Sequence, residues 1–111
     1  MAIKYRRVLI KVSGEALAGA GGFGVNDAEL EKTARQIKEI HDAGVEVGIV
    51  VGGGNFFRGR TGGDIDKPTA DYMGMLATVM NCIYVSEIFR AAGMRNSILT
   101  PFEVGSMTKL F

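Results

Sequence analysis

Two short runs hold residue types that handle anions. KVSGEAL, residues 11–17, places a lysine, a hydroxyl and a glycine close together, and GGGNFFRG, residues 52–59, sets three glycines and an amide ahead of Arg58. Glycine lacks the Cβ that would hold a ligand away from the peptide, so successive N–H groups can curve into a nest for anionic oxygens. A lysine adds a compact charge, and an arginine adds a planar fork that grips two oxygens. Together they suit a migrating phosphoryl group, whose transfer needs positioning and neutralisation more than covalent help. Each feature alone has a plainer reading: Lys11 as a solvated strand end, Arg58 as a loop charge, the glycines as a tight turn. The triple glycine combined with both charges favours the anion site.

These runs need strands to aim them. YRRVLIKV, residues 5–12, ends in a nearly continuous apolar run, the pattern of a strand covered on both faces, and VEVGIVV, residues 45–51, predicts a second strand. Between them, Asn26 with Glu29 three residues on, apolar Leu30, Ala34, Ile37 and Ile40, and Gly44 as a stop predict an amphipathic helix. After a loop to about Thr69, a second, longer helix is predicted to Ala92 and closed by Gly93. Met73, Leu76, Met80, Ile83 and Tyr84 share one side of it, and Val79, Val85, Ile88 and Phe89 widen the apolar face. Such a helix is expected either inside the domain or at a subunit interface. NSILT, residues 96–100, predicts a third strand before Pro101.

Strands alternating with helices imply parallel pairing through right-handed crossovers, hence an open α/β sheet. Such sheets bind ligands beyond the carboxyl ends of their strands, which places Lys11, Ser13 and Gly14 beside Gly52, Gly53, Gly54, Asn55 and Arg58.

A chain of 111 residues is one small domain at most. Its net charge of +1, from 13 basic and 12 acidic residues, gives no global field for nucleic acid or an anionic membrane, so an anion site must be local. Lys11 interrupts the apolar run after Ile10, which argues against a signal peptide, and no window approaches the ~20 apolar residues of a membrane span. A soluble, cytoplasmic protein is expected. The single cysteine, Cys82, excludes an internal disulfide and reads as core packing.

Asp71 has two open readings: a first-turn carboxylate favoured by the helix macrodipole, or a partner for ligand hydroxyls such as those of a ribose. GAGGFG, residues 19–24, matches G-x-G-x-x-G, yet a dinucleotide fingerprint must follow its strand directly, and Gly19 trails Val12 by seven residues. It reads as a flexible surface loop. There is no G-x-x-x-x-G-K-[ST], so no P-loop is expected. His41 reads as a helix-surface residue, and no His/Cys/Asp grouping suggests a structural metal.

Four runs, KVSGEAL, GGFGV (residues 21–25), GGGNFFRG and DYMGMLATVMN (residues 71–81), closely resemble the N-terminal half of the bacterial uridylate (UMP) kinases, a branch of the amino acid kinase family. The resemblance covers essentially the whole chain. It implies a three-layer αβα fold with a mainly parallel open sheet, and transfer of the γ-phosphoryl of ATP to UMP, with Mg²⁺ accompanying ATP. Carried over by position, Lys11, Val12, Ser13 and Gly14 lie at the ATP phosphates, Gly53 contacts UMP, Gly54 and Arg58 face the phosphates at the transfer point, and Asp71 binds UMP. Lys11 and Arg58 are the implied catalytic pair. Gly19, Ala20, Gly21, Gly22, Phe23 and Gly24 match a part linked to GTP activation. The family further implies a UTP inhibitor and a homohexamer, with an interface role for the apolar face of residues 72–89.

The same resemblance makes residues 1–111 the N-terminal, UMP-binding side of a single domain whose C-terminal, ATP-binding portion is absent, and activity of these residues alone is not expected. Residues 59–70, GRTGGDIDKPTA, diverge, so nothing is carried over there, and Arg60 reads as a loop charge. Two alternatives stay open: a related kinase of carboxylates or carbamate, and a non-catalytic nucleotide or oxyanion binder on the same scaffold.

Overall fold

The computed structural model of the chain describes residues 4–56 and 65–111. Strand β1 (Arg7–Val12) pairs in parallel with β2 (Glu46–Val51), with Arg7 opposite Glu46 and Val12 opposite Val51. Between them run a short helix α1 (Gly14–Ala18), a 3-10 turn (Gly19–Gly21) and helix α2 (Asp27–Asp42). After β2 come helix α3 (Lys67–Ala91) and two short strands, β3 (Leu99–Thr100) and β4 (Lys109–Leu110), parallel to each other.

Local chemistry sets these boundaries. Asn26 Oδ1 accepts from the Glu29 amide at 3.1 Å, satisfying one of the free donors at the start of α2, and Gly44 ends the helix at φ 98°, a region that side chains disfavour. Both were foreseen. Helix α1 was not: Ser13 Oγ accepts from the Ala16 amide at 3.1 Å and starts a helix of 5 residues. That is too short to leave a hydrophobic period in the sequence. Helix α3 begins at Lys67, earlier than expected, with Pro68 in its first turn where a missing N–H costs nothing.

One cluster forms the core: Val12 and Val51 from the strands, Leu17, then Leu30, Ala34 and Ile37 of α2, Val85 and Phe89 of α3, and Met94. Ile10, Val47 and Ile49 pack against it. The expectation that β1 is covered on both faces needs correction. Leu9 is 74 % exposed and Val50 45 %, and Lys11 is exposed with them, so the helices cover one face and leave the other open. A continuous apolar run reports that both faces are apolar; it does not supply the second layer.

The broad apolar face expected of α3 divides in two. The buried positions are Ala70, Ala77, Val79, Asn81, Val85, Ser86 and Phe89, whereas Met73, Leu76, Met80, Ile83 and Tyr84 are exposed. Small and polar residues face inward because the chain approaches α3 closely there. Cys82 is half-buried beside the core, and burial raises its thiol pKa above the ordinary value. By length and composition α3 could cross a membrane, contrary to the sequence expectation, but its inward Asn81 amide and Ser86 hydroxyl are hydrogen-bonded to other parts of this fold.

The third predicted strand is shorter than NSILT and does not join β1 and β2 among the described residues. Asn96 donates instead to the carbonyls of Ser86, at 3.1 Å, and Met94, at 3.2 Å, which ties the segment to α3. Leu99 and Thr100 then pair with Lys109 and Leu110.

Leu30, 1 % exposed, is the test of the core. Leu30→Ala is expected to cost about 2–5 kcal/mol in urea unfolding, whereas Leu9→Ser, on the open face, is expected to change stability by no more than about 0.5 kcal/mol.

Candidate functional site

The candidate site starts where the two strands stop. The Gly52 amide donates to the Val12 carbonyl at 3.1 Å, carrying the parallel pairing one step past both strands. Beyond that bond the two connections touch. A methyl group added to Gly14 would lie 2.6 Å from the Asn55 nitrogen and 2.8 Å from Asn55 Oδ1, and would also strike the Gly54 nitrogen. One added to Gly53 would lie 2.7 Å from Thr78 Oγ1, 2.9 Å from the Thr78 nitrogen and 3.1 Å from the Gly74 carbonyl oxygen. Residues 13–14 therefore lie against residues 52–55, and these in turn lie against the Gly74–Thr78 stretch of α3.

This changes what the glycines are for. Gly52, Gly53 and Gly54 are not among the glycines with positive φ, so no left-handed backbone is required of them. Gly14 and Gly53 are glycine because neighbouring protein backbone occupies the space of a side chain. Among the described residues, no hydrogen bond engages the N–H groups of Gly14, Gly53 or Gly54. These three amides thus stand close together without a hydrogen-bond partner among the described residues.

A buried pair of amides holds this arrangement. Asn55 and Asn81 are each 1 % exposed. Asn81 Nδ2 donates to Asn55 Oδ1 at 2.6 Å and to the Gly52 carbonyl at 2.8 Å. Asn55 Nδ2 donates to Asn81 Oδ1 at 3.2 Å and to the Gly24 carbonyl at 2.7 Å, and the Gly24 amide returns a bond to the Asn55 carbonyl at 3.0 Å. Both N–H groups and the oxygen of each side chain are satisfied, as burial of a primary amide demands. Phe23 adds an edge-to-face contact with Phe56, ring centres 5.6 Å apart.

The chain belongs to the amino acid kinase family, whose profile matches residues 6–110. It is 47 % identical over 104 residues to a protein named uridylate kinase from Limosilactobacillus reuteri, covering 92 % of this chain and 43 % of that one. It is structurally similar to UMP kinase from Bacillus anthracis, with TM-score 0.88, 36 % identity and coverage of 96 % of this chain and 45 % of that one. UMP kinase from Ureaplasma parvum gives TM-score 0.85, 27 % identity and coverage of 98 % and 47 %. The α/β fold with parallel strands expected from the sequence is therefore that of these kinases, and this chain spans less than half the length of each.

In this amino acid kinase family chain, the site residues foreseen from sequence divide into groups. Val12, Ser13, Gly14, Gly53 and Gly54 come together at the strand ends. Residues 19–24, expected as a flexible surface loop, begin with the 3-10 turn Gly19–Gly21 and are tied to the glycine turn through Gly24, while Gly21 and Gly22 have open space around them. Lys11 and Asp71 stand further out. Lys11 lies on the open face of β1, opposite Val50, with no ion-pair partner among the described residues. Arg58 and Arg60 lie outside the described residues.

Asp71 corrects one reading. Helix α3 starts four residues earlier, so Asp71 is not a first-turn carboxylate, and it pairs with Lys67 Nζ at 3.1 Å. That exposed pair is worth little, which leaves the carboxylate free to change partners. It lies three residues before Gly74, one helical turn from the glycine turn. Asn81 was missed as a functional position; the signal available was a lone amide in an otherwise apolar helical stretch. Away from this site, Tyr84 donates to Asp27 Oδ1, a bond that raises the phenol pKa above its ordinary value.

Gly14→Ala is expected to destabilise the chain by about 1–3 kcal/mol, because the clash is with backbone that cannot swing aside, whereas Gly21→Ala, with nothing within 4 Å, is expected to stay within about 0.5 kcal/mol of wild type. Thermal denaturation of the two variants in parallel measures the difference.

Proposed function

We propose that this chain forms the UMP-binding side of an ATP-dependent UMP kinase. The observation that supports it most directly is the glycine turn packed on α3 with unengaged amides at Gly14, Gly53 and Gly54, in a chain 47 % identical over 104 residues to a uridylate kinase. In this reading an oxygen of the UMP phosphate attacks the γ-phosphorus of ATP, the bond from that phosphorus to the β-bridging oxygen breaks, and UDP and ADP leave. Backbone amides at the two strand ends hold the phosphate oxygens, while Lys11 and Arg58 neutralise the charge that shifts between them. Lys11, Val12, Ser13 and Gly14 lie at the ATP phosphates, Gly54 and Arg58 at the transferred group, and Gly53 and Asp71 at UMP. The Asp71 carboxylate accepts hydrogen bonds from the ribose hydroxyls, exchanging Lys67 for them.

Mg²⁺ arrives on ATP. Among the described residues no group of His, Cys, Asp and Glu is arranged to hold a metal ion. The same reading takes residues 19–24 as the place where GTP activates, UTP as an inhibitor, a homohexamer as the assembly and the cytoplasm as the compartment. The bond between Gly24 and Asn55 supplies a physical route from residues 19–24 to the phosphate turn.

Measured on the full-length polypeptide with ATP and UMP, Lys11→Ala is expected to lower kcat by about 10²–10³, the usual cost of removing one charge-stabilising donor. Asp71→Asn is expected to raise the KM for UMP about tenfold, the loss of a charged hydrogen bond, with a smaller effect on kcat. Unchanged UMP affinity in that variant would favour a carboxylate or carbamate as acceptor, and phosphate binding without turnover would favour a non-catalytic role.

A further inference from the structure

We infer that Asn81 is a positioning residue for phosphoryl transfer: anchored on α3, its amide fixes the Gly52 carbonyl and the Asn55 side chain, and so sets the direction in which Gly53 and Gly54 present their N–H groups. The inference rests on the phosphate-handling reading of the turn given above.

Three consecutive glycines have more conformational freedom than any other tripeptide, so a turn built from them cannot aim its own amides. Among the described residues its internal restraint is a single bond, from the Phe56 amide to the Gly53 carbonyl at 3.2 Å. The remaining restraint is external. Asn81 grips both sides of the two amides in question, at Gly52 by a bond of 2.8 Å and at Asn55 by one of 2.6 Å. No other residue type of this size offers two donors and an acceptor from one planar group. Leucine would fill the space but remove the side-chain bonds to the Gly52 carbonyl and to Asn55, and a carboxylate would present oxygen to the Gly52 carbonyl. Burial of an amide where the surrounding helix is apolar is the cost of this restraint.

Phosphoryl transfer is sensitive to small displacements, and a shift of about 1 Å in a group that aligns the reactants can cost about 10² in rate. In the full-length polypeptide, Asn81→Ala is expected to lower kcat by about that factor with the KM for UMP changed less than about threefold. Amide exchange followed by NMR reads the turn without turnover: Phe56 is expected to exchange about tenfold faster, while Leu30, in the core of α2, keeps its wild-type rate. Asn81→Asp adds a pH signature. A neutral carboxylic acid can donate to the Gly52 carbonyl and accept from Asn55, whereas its ionised form cannot donate, so the kcat ratio of this variant to wild type is expected to fall as pH rises. For Asn81→Ala that ratio is expected to be flat.

Unchanged Phe56 exchange in Asn81→Ala, or a pH-independent ratio for Asn81→Asp, overturns the proposal. Parallel loss of Leu30 and Phe56 protection also overturns it, since that is what a purely structural residue would give. A wild-type polypeptide that turns over no UMP removes the kinase reading instead, and selective acceleration at Phe56 would still assign Asn81 the task of holding the turn.

Discussion

The reciprocal pairing of Asn55 and Asn81 is the constraint on which the geometry of the candidate site depends. Two primary amides out of contact with water are unfavourable unless every donor and acceptor finds a partner, and here each side chain uses both N–H groups and its oxygen. That requirement makes the pair directional in a way hydrophobic packing is not. It joins the glycine turn, the end of residues 19–24 and the middle of α3 in one unit, and the Gly52 bond to Val12 adds the end of β1.

The packing around that pair explains why the inner face of α3 looks unlike a helix face in a core. The Gly74 carbonyl, Thr78 and Asn81 lie where the chain leaving β2 presses on the helix, and the first two leave Gly53 no room for a side chain of its own. Hydrophobic burial by α3 is left to Val79, Val85 and Phe89, nearer its C-terminal half. Its large apolar residues, Tyr72, Leu76 and Met80 among them, lie on the other side and are exposed, as are Leu9 and Val50 on the open face of the sheet. Exposed apolar surface of that extent is uncommon on a complete soluble domain. It accords with a chain that spans less than half the length of its relatives.

Much of this was legible in the residues. The Asn26 cap, the Gly44 stop and the spacing of Leu30, Ala34 and Ile37 each act through local chemistry that a short stretch fully specifies. Helix α1 escaped because one turn has no period, and the first residues of α3 escaped because Lys67 and Pro68 resemble a loop. Which face of α3 lies inward stayed open for a deeper reason: apolar spacing marks a stripe that avoids water, and two different stripes on one helix satisfy it.

The sequence by itself determined the order of the main strands and helices, the parallel pairing of β1 with β2 and the meeting of the segments that follow them, because periodicity, caps and crossover handedness are rules of short range. Only the tertiary structure decided which face of α3 lies inward, that Gly14 and Gly53 are small to make room for protein backbone, and that Asn81 reaches Gly52 and Asn55. Contacts between residues 26 and 29 positions apart in the chain exist only once the strands and α3 have been brought together, and no local pattern encodes their distance.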